Sequence, residues 1–299
     1  MTSLIVKAYP PTYVTGSSLS FQSGRNVTTF WEGVKLFFHY GKTITAAGGT
    51  TYNYVNPVPG SSTAYTFRTT FELPNLSKDQ TFELLQPLFD SLNAVGVSAR
   101  NPQPSASTQW GTILNGIGDT PGNSRFSSRL FPRKNWDDAA LWNDTFAAIR
   151  EVTEAGYTFH GIHMAPSLAV GGYPGSSGVN PAFRETLMHA DIFDFAGVRG
   201  LTPQAVRDAH TRLNFYTDKL RAATPGAGAY MNEADLEEPG WQQSFFGDKY
   251  ETLSGIKKKW DPRGVFWAPG TVGSEGWAVE ESEDDGLPTQ NGRLCRVDA

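Results

Sequence analysis

One cysteine in 299 residues, Cys295, excludes an intrachain disulfide and a thiolate zinc site. Charge is sparse as well. Only 18% of residues are charged, and 25 Lys and Arg against 30 Asp and Glu give a formal net charge of −5. Such a chain has no bulk attraction for nucleic acid. Its one basic run, Lys257-Lys258-Lys259, fits the solvated, dipole-favoured end of a helix. No apolar run reaches the roughly 18 residues of a membrane-spanning helix, so no membrane partner is expected. The opening MTSLIVKAYPPTYV lacks the basic start of a signal peptide, and Lys7 and Pro10 interrupt its apolar run. The short catalytic signatures G-x-S-x-G, H-E-x-x-H, Walker A and G-x-G-x-x-G are missing too.

What is present is glycine, proline and aromatic side chains. The 31 Gly and 19 Pro follow no period, which predicts many turns and ordered loops. Aromatics make up 13%, ample for a core and an aromatic-lined pocket. At roughly 100–200 residues per domain the length allows one large domain or two small ones. Three N-x-[ST] sequons, at Asn26, Asn75 and Asn143, are no more than chance supplies in a sequence this rich in Ser and Thr.

Strand-like segments lie at 3–9, 16–22, 43–55 and 63–72; the last two alternate and are joined as a hairpin by the turn Pro57-Val-Pro-Gly60. A helix is predicted over 26–41, with Phe30, Val34, Phe37 and Phe38 on one face. Another starts after Ser77, a good N-cap, and carries Pro87 as a kink or a late start. Residues 96–132 read as a long loop with one strand. Further helices are predicted at 136–155, 202–222 and 246–260. Strands are predicted at 157–166 and 187–195, with a short one at 229–232, and the acidic tail is expected to be extended. This order predicts an α+β fold: an antiparallel β-sheet with helices packed on one face.

Histidines lead nowhere decisive by themselves. His160 and His163, three apart in a strand, fall on opposite faces, which argues against a shared metal, and no metal site is expected. His39 and His210 sit on helical patterns and read as structural or solvated. His189 precedes Asp191 in a predicted strand, where a cleft position is open to it. In the predicted strand 229–232, Tyr230 and Asn232 share a face, so a phenol and an amide can meet one cavity as base and orienting group. By residue type alone Tyr230 reads as structural.

The run from Tyr230 onward, Y-x-N-E, then W-Q, then F-F-G-x-x-Y-x-x-L-x-x-I-K-x-K-W-D-P-x-x-x-F, resembles the C-terminal signature of berberine bridge enzyme-like flavoproteins. These are FAD-linked oxidases of the vanillyl-alcohol oxidase superfamily. The close, Trp267 to Trp277 with Gly292 to Arg296, is similar to secreted fungal members, so the resemblance implies a secreted glycoprotein. Residues 1–10 look like the last strand of the family's FAD-binding domain, and the chain opens inside that strand like a fragment. The implied domains are that strand at 1–10, a substrate-binding α+β domain at 11–228 and the berberine-like segment with its acidic tail at 229–299.

The resemblance implies an FAD-dependent oxidoreductase that oxidises a small alcohol or natural product by hydride transfer to the flavin, with O2 as acceptor. It makes Tyr230 the catalytic base, helped by His189 as a polar residue on a neighbouring strand, and sets Asn232 beside the FAD. A phenol with a pKa near 10 needs a hydrogen bond or a positive charge to serve as that base. Most of the family's FAD-binding domain is not in these residues. It is expected in cis or in trans, with a cysteine that Cys295 meets in a disulfide or leaves as a free thiol. Alone, this chain is expected to be inactive or nearly so. The alternatives are a non-catalytic remnant or binding module, or one half of a split flavoenzyme.

Overall fold

The structure is a computed structural model and describes residues 3, 12–24, 26–107, 125–171, 177–194, 200–280, 286, 288 and 291–297. The predicted strand at 3–9 and the 1–10 boundary lie, apart from Ser3, outside the described residues.

Local signals place most elements. β1 spans Val14–Gln22. The Asn26 side chain caps α1 (Val27–Ala46) by accepting from the Thr28 amide. β2 (Thr50–Pro57) and β3 (Tyr65–Pro74) form the expected hairpin, in register from Thr50 opposite Glu72 to Pro57 opposite Tyr65. Ser77 and Gln80 make a reciprocal capping box at α2 (Lys78–Ala94), which runs on through Pro87. β4 (Ser105–Ser107) and β5 (Arg125–Pro132) follow, two strands where one was expected. Then come α3 (Lys134–Asp137) and α4 (Ala139–Glu154), with Asp138 as the N-cap between them. β6 is Thr158–His163, α5 Leu168–Gly171, α6 Ala182–Glu185 and β7 Thr186–Asp194. Thr202 caps α7 (Pro203–Ala223). The chain ends in α8 (Trp241–Phe246), α9 (Tyr250–Trp260) and a small ribbon of β8 (Trp277–Glu280) with β9 (Arg293–Arg296).

Three predicted elements come out differently. Residues 43–46, predicted as strand, are the last turn of α1. Ile44 continues the stripe of Phe30, Val34, Phe37, Phe38 and Gly41 into the core, and burial outweighs the strand preference of Thr43, Ile44 and Thr45. The predicted helix at 246–260 starts only at Tyr250: Gly247 takes φ +59 against Pro181 and ends α8, and a 3-10 turn, Gly247–Lys249, leads into α9. The predicted strand at 229–232 is a single 3-10 turn, Met231–Glu233, for reasons given below.

Among the described residues, seven strands form one antiparallel sheet in the order β4-β1-β3-β2-β6-β7-β5. Alternate residues point to opposite sides. One side carries Phe67, Phe71, Val55, Phe159, Met188, Ala190 and Ile192, packed in one core with Phe30, Phe37 and Phe38 of α1, Phe89 of α2, Ile149 of α4 and Leu213 of α7. Each of these side chains except Ala190 stabilises by about 1.5–3 kcal/mol. The α+β expectation therefore holds, with the long helices on that side.

A polar knot sits inside this core. Thr51 Oγ1 lies 2.8 Å from His163 Nδ1, Asn53 Nδ2 donates to the Gly161 carbonyl at 2.7 Å, and Thr69 Oγ1 donates to Asn53 Oδ1 at 2.6 Å. Burial pulls the His163 pKa down to about 3, so the ring is neutral. Gly41 is glycine because a Cβ there would overlap the His163 ring.

Candidate active site

The other side of the sheet carries a row of polar and aromatic groups in direct cross-strand register. Arg68 of β3 pairs with Tyr54 of β2, Tyr54 with His160 of β6, His160 with Asp191 of β7, and Asp191 with Ser128 of β5. The Arg68 guanidinium lies 4.0 Å over the Tyr54 ring, which stacks on His160 at 4.1 Å. His160 Nδ1 is 3.3 Å from Asp191 Oδ2. His189, two residues before Asp191, shares its face, and its Nε2 lies 3.2 Å from Asp191 Oδ1 and 2.7 Å from Glu233 Oε2. So β7 supplies His189 and Asp191 together, and His160 meets them while His163 points into the core on the opposite face, as their spacing predicted.

Tyr230 is held at the β5 edge. Its amide donates to Ser128 Oγ at 3.2 Å and its carbonyl accepts from the same hydroxyl at 3.3 Å. One residue earlier, Ala229 N donates to Ser244 O. A side chain and a helical carbonyl thus take the bonds that a β ladder needs, and the Glu233 amide closes back on the Tyr230 carbonyl at 3.0 Å. This is why 229–232 is not a strand. The pairing of Tyr230 with Asn232 survives by another route: Asn232 Nδ2 donates to the Tyr230 hydroxyl at 2.7 Å. His189 reaches Tyr230 only by ring contact, edge to face at 5.5 Å, with Phe183 at 5.7 Å in the same manner.

The electrostatics follow from burial and pairing. Burial pulls the His189 imidazole down, but Asp191 and Glu233 outweigh it and bring its pKa to about 9. Burial pushes the Asp191 carboxyl up, yet His160 and His189 leave it below the usual carboxylate range. A cationic imidazolium therefore sits against the Tyr230 ring, and an amide donor sits on its oxygen. Asp191 and Glu233 escaped sequence reasoning. The Y-x-N-E run and the H-x-D spacing were their signals, but which strands neighbour β7 decides whether these groups meet.

His210, read as structural or solvated, ties α7 to the C-terminal segment. Its Nε2 is 2.7 Å from Asp235 Oδ1 and its Nδ1 3.2 Å from Glu237 Oε2. The Asp235 hydrogen bond raises the His210 pKa above 6.5. For Asp235, burial raises and hydrogen bonds from His210 and Glu237 N lower, with a net fall below 3.8. The His210 contribution is complete below 6.5 and is lost as pH rises through its folded-state value. The Asp235 contribution is complete above 3.8 and is lost as pH falls. Thermal melts should then show His210→Gln costing most below pH 6.5 and progressively less as pH rises above it. A cost that stays constant across that range would rule the coupling out.

Residues 229–273 match the family model described as berberine and berberine like. The FAD-linked oxidoreductase ZEB1 of Gibberella zeae is 29% identical over 304 residues, 98% of this chain and 49% of that protein. The FAD-linked oxidoreductase sor8 of Hypocrea jecorina is 31% identical over 309 residues, 99% of this chain and 48% of that one. The chain thus spans about half the length of the curated relatives it matches. Among solved structures, the VAO-type flavoprotein MtVAO615 of Myceliophthora thermophila shares the fold, with a TM-score of 0.76 and 23% identity. That match covers 96% of this chain and 50% of the other.

Proposed function

We propose, the chain being a homologue of fungal FAD-linked oxidoreductases that carries their berberine-like segment, that it forms the substrate side of a flavin-dependent alcohol oxidation. The observation that carries this reading is the 2.7 Å hydrogen bond from Asn232 to the Tyr230 hydroxyl, made beside the buried His189–Asp191 pair. The donor set fits the reacting side of a flavin: a phenol, an amide and an imidazole lie on the sheet face away from the long helices. Asn232 is exposed and would meet the FAD with its carboxamide. The cofactor's phosphates would be held by a further domain, in cis or in trans.

Bound there, the flavin supplies the hydride acceptor, with O2 as the final oxidant. The chain's own residues handle the proton. Asn232 Nδ2 stabilises the Tyr230 phenolate by its hydrogen bond, and Tyr230 Oη takes the proton from the substrate hydroxyl to become the neutral phenol. His189, held by Asp191 and Glu233, keeps positive charge against the Tyr230 ring. A covering domain is supported by apolar exposure near the match. Trp260 and Phe266 leave 76% and 80% of their surface in solvent, with Ile256 and Val265 beside them in sequence.

The test is a visible spectrum of the full gene product, or of its native complex, before and after anaerobic addition of candidate alcohols. A flavin band that bleaches with substrate is expected. A colourless folded protein overturns the reading in favour of a non-catalytic module.

A further inference from the structure

We infer that His189, Asp191 and Glu233 bind one divalent first-row transition-metal ion of the zinc, cobalt or manganese class. The three ligand atoms, His189 Nε2, Asp191 Oδ1 and Glu233 Oε2, all lie within 4.8 Å of one another. His189 and Asp191 are 4% and 3% exposed, and both sit on one strand, so their backbone is fixed by pairing with β5 and β6. Glu233 is delivered by the 3-10 turn that closes on the Tyr230 carbonyl.

The hydrogen bonds present leave this cluster unsatisfied. One nitrogen faces two carboxylate oxygens, and Nε2 carries one hydrogen at most. That hydrogen serves Glu233 at 2.7 Å. Among the described residues, Asp191 Oδ1, deeply buried, is then left with no hydrogen bond of proper geometry although Nε2 lies 3.2 Å away. An unmet buried carboxylate oxygen is costly. A cation at the point where the three atoms converge removes the shortfall: Nε2 gives its lone pair, and each carboxylate gives one oxygen. The other Asp191 oxygen stays on His160 Nδ1, an outer contact of the kind that orients metal-binding carboxylates.

The ligand chemistry selects the ion. One imidazole and two carboxylates suit zinc, cobalt or manganese. Calcium takes oxygen ligands only, and Cu(I) prefers sulfur. Bonds of about 2.0–2.2 Å in a tetrahedral site place ligand atoms about 3.3–3.5 Å apart. The observed 2.7 and 3.2 Å are shorter than that and the Asp191–Glu233 oxygen separation is within 4.8 Å, so side-chain shifts of about 1 Å bring the three atoms to that arrangement. Three protein ligands leave a fourth position for water or a substrate oxygen. The ion would supply the positive charge near Tyr230 that His189 otherwise carries. No metal-ligand spacing in the sequence announces such a site, because its third ligand lies 42 residues beyond the second, outside any local motif (233 − 191).

The site goes beyond the flavin reading, since none of its ligands is needed to hold a flavin. The full gene product is stripped with chelator and titrated with Co2+, then with Zn2+. Bound metal is counted by elemental analysis, and Co2+ is followed by its visible ligand-field bands. One equivalent is expected, with affinity weakened at least tenfold in both Asp191→Asn and Glu233→Gln. His210→Gln, in the separate His210–Asp235–Glu237 cluster, should bind like the parent. Far-UV circular dichroism confirms that each variant is folded. Binding of no equivalent by the folded parent overturns the site, as does binding that folded Asp191→Asn and Glu233→Gln leave unchanged. The readout needs neither flavin nor turnover, so it separates from failure of the oxidoreductase reading.

Discussion

Tyr230→Phe should lower the rate of flavin reduction in the complete flavoprotein by about 10²–10⁴-fold, the usual worth of a positioned general base. The protein should still fold and hold its cofactor. The hydroxyl's hydrogen bond is to an exposed side chain, Asn232, so its loss costs about 1 kcal/mol at most. The ring contacts with His189 and Phe183 survive in phenylalanine. Stopped-flow reduction under anaerobic conditions reads the chemical step directly. Asn232→Ala supplies the companion result. Without its donor the phenolate is less stable, so the rising limb of the pH–rate profile should move to higher pH while the variant keeps its maximal rate at high pH. A Tyr230→Phe protein that reduces flavin at the parent rate would remove Tyr230 from the chemistry, whatever the pH profile of Asn232→Ala.

Glu238→Ala should destabilise the fold by about 3–5 kcal/mol, read as a lower urea midpoint at unchanged slope. Glu238 is 3% exposed and joins three parts of the molecule. Its Oε2 accepts from Arg221 of α7 at 2.5 Å, its Oε1 accepts from Ser244 of α8 at 2.9 Å, and Arg129 of β5 lies 3.5 Å from Oε1. Arg129 is itself buried, donating to the carbonyls of Thr224 and Ala227, so removing the carboxylate strands a buried guanidinium. Exposed pairs behave differently. Lys42 and Asp137 also meet, but both side chains are more than 40% exposed, and Lys42→Ala should cost no more than about 1 kcal/mol. Equal losses from the two variants would show that burial does not govern these pairs. The Glu238 clamp also bears on function, because it fastens the segment that carries Tyr230 to the edge of the sheet.

Much of this molecule was legible because its signals are local. Ser77 caps the helix that follows it, Pro57 to Gly60 turns the hairpin, and alternation marks β2, β3 and β6. Each depends on residues within a few positions of one another. Tyr230 and Asn232 were legible for the same reason, and they meet although the backbone between them is a turn and not a strand. The elements that came out differently had local preference set against burial. Thr43 to Ala46 stay helical because Ile44 completes a buried stripe.

The sequence by itself determined the two faces of the sheet and the capped start at Ser77, since period and capping are set by neighbouring residues. Only the tertiary structure decided that β7 lies between β6 and β5. That order aligns Tyr54, His160, Asp191 and Ser128 in one row and brings Glu233 onto His189. Strand order is chosen by how whole faces bury against α1, α4 and α7, a sum over contacts far apart in the chain, and no short window of residues contains it.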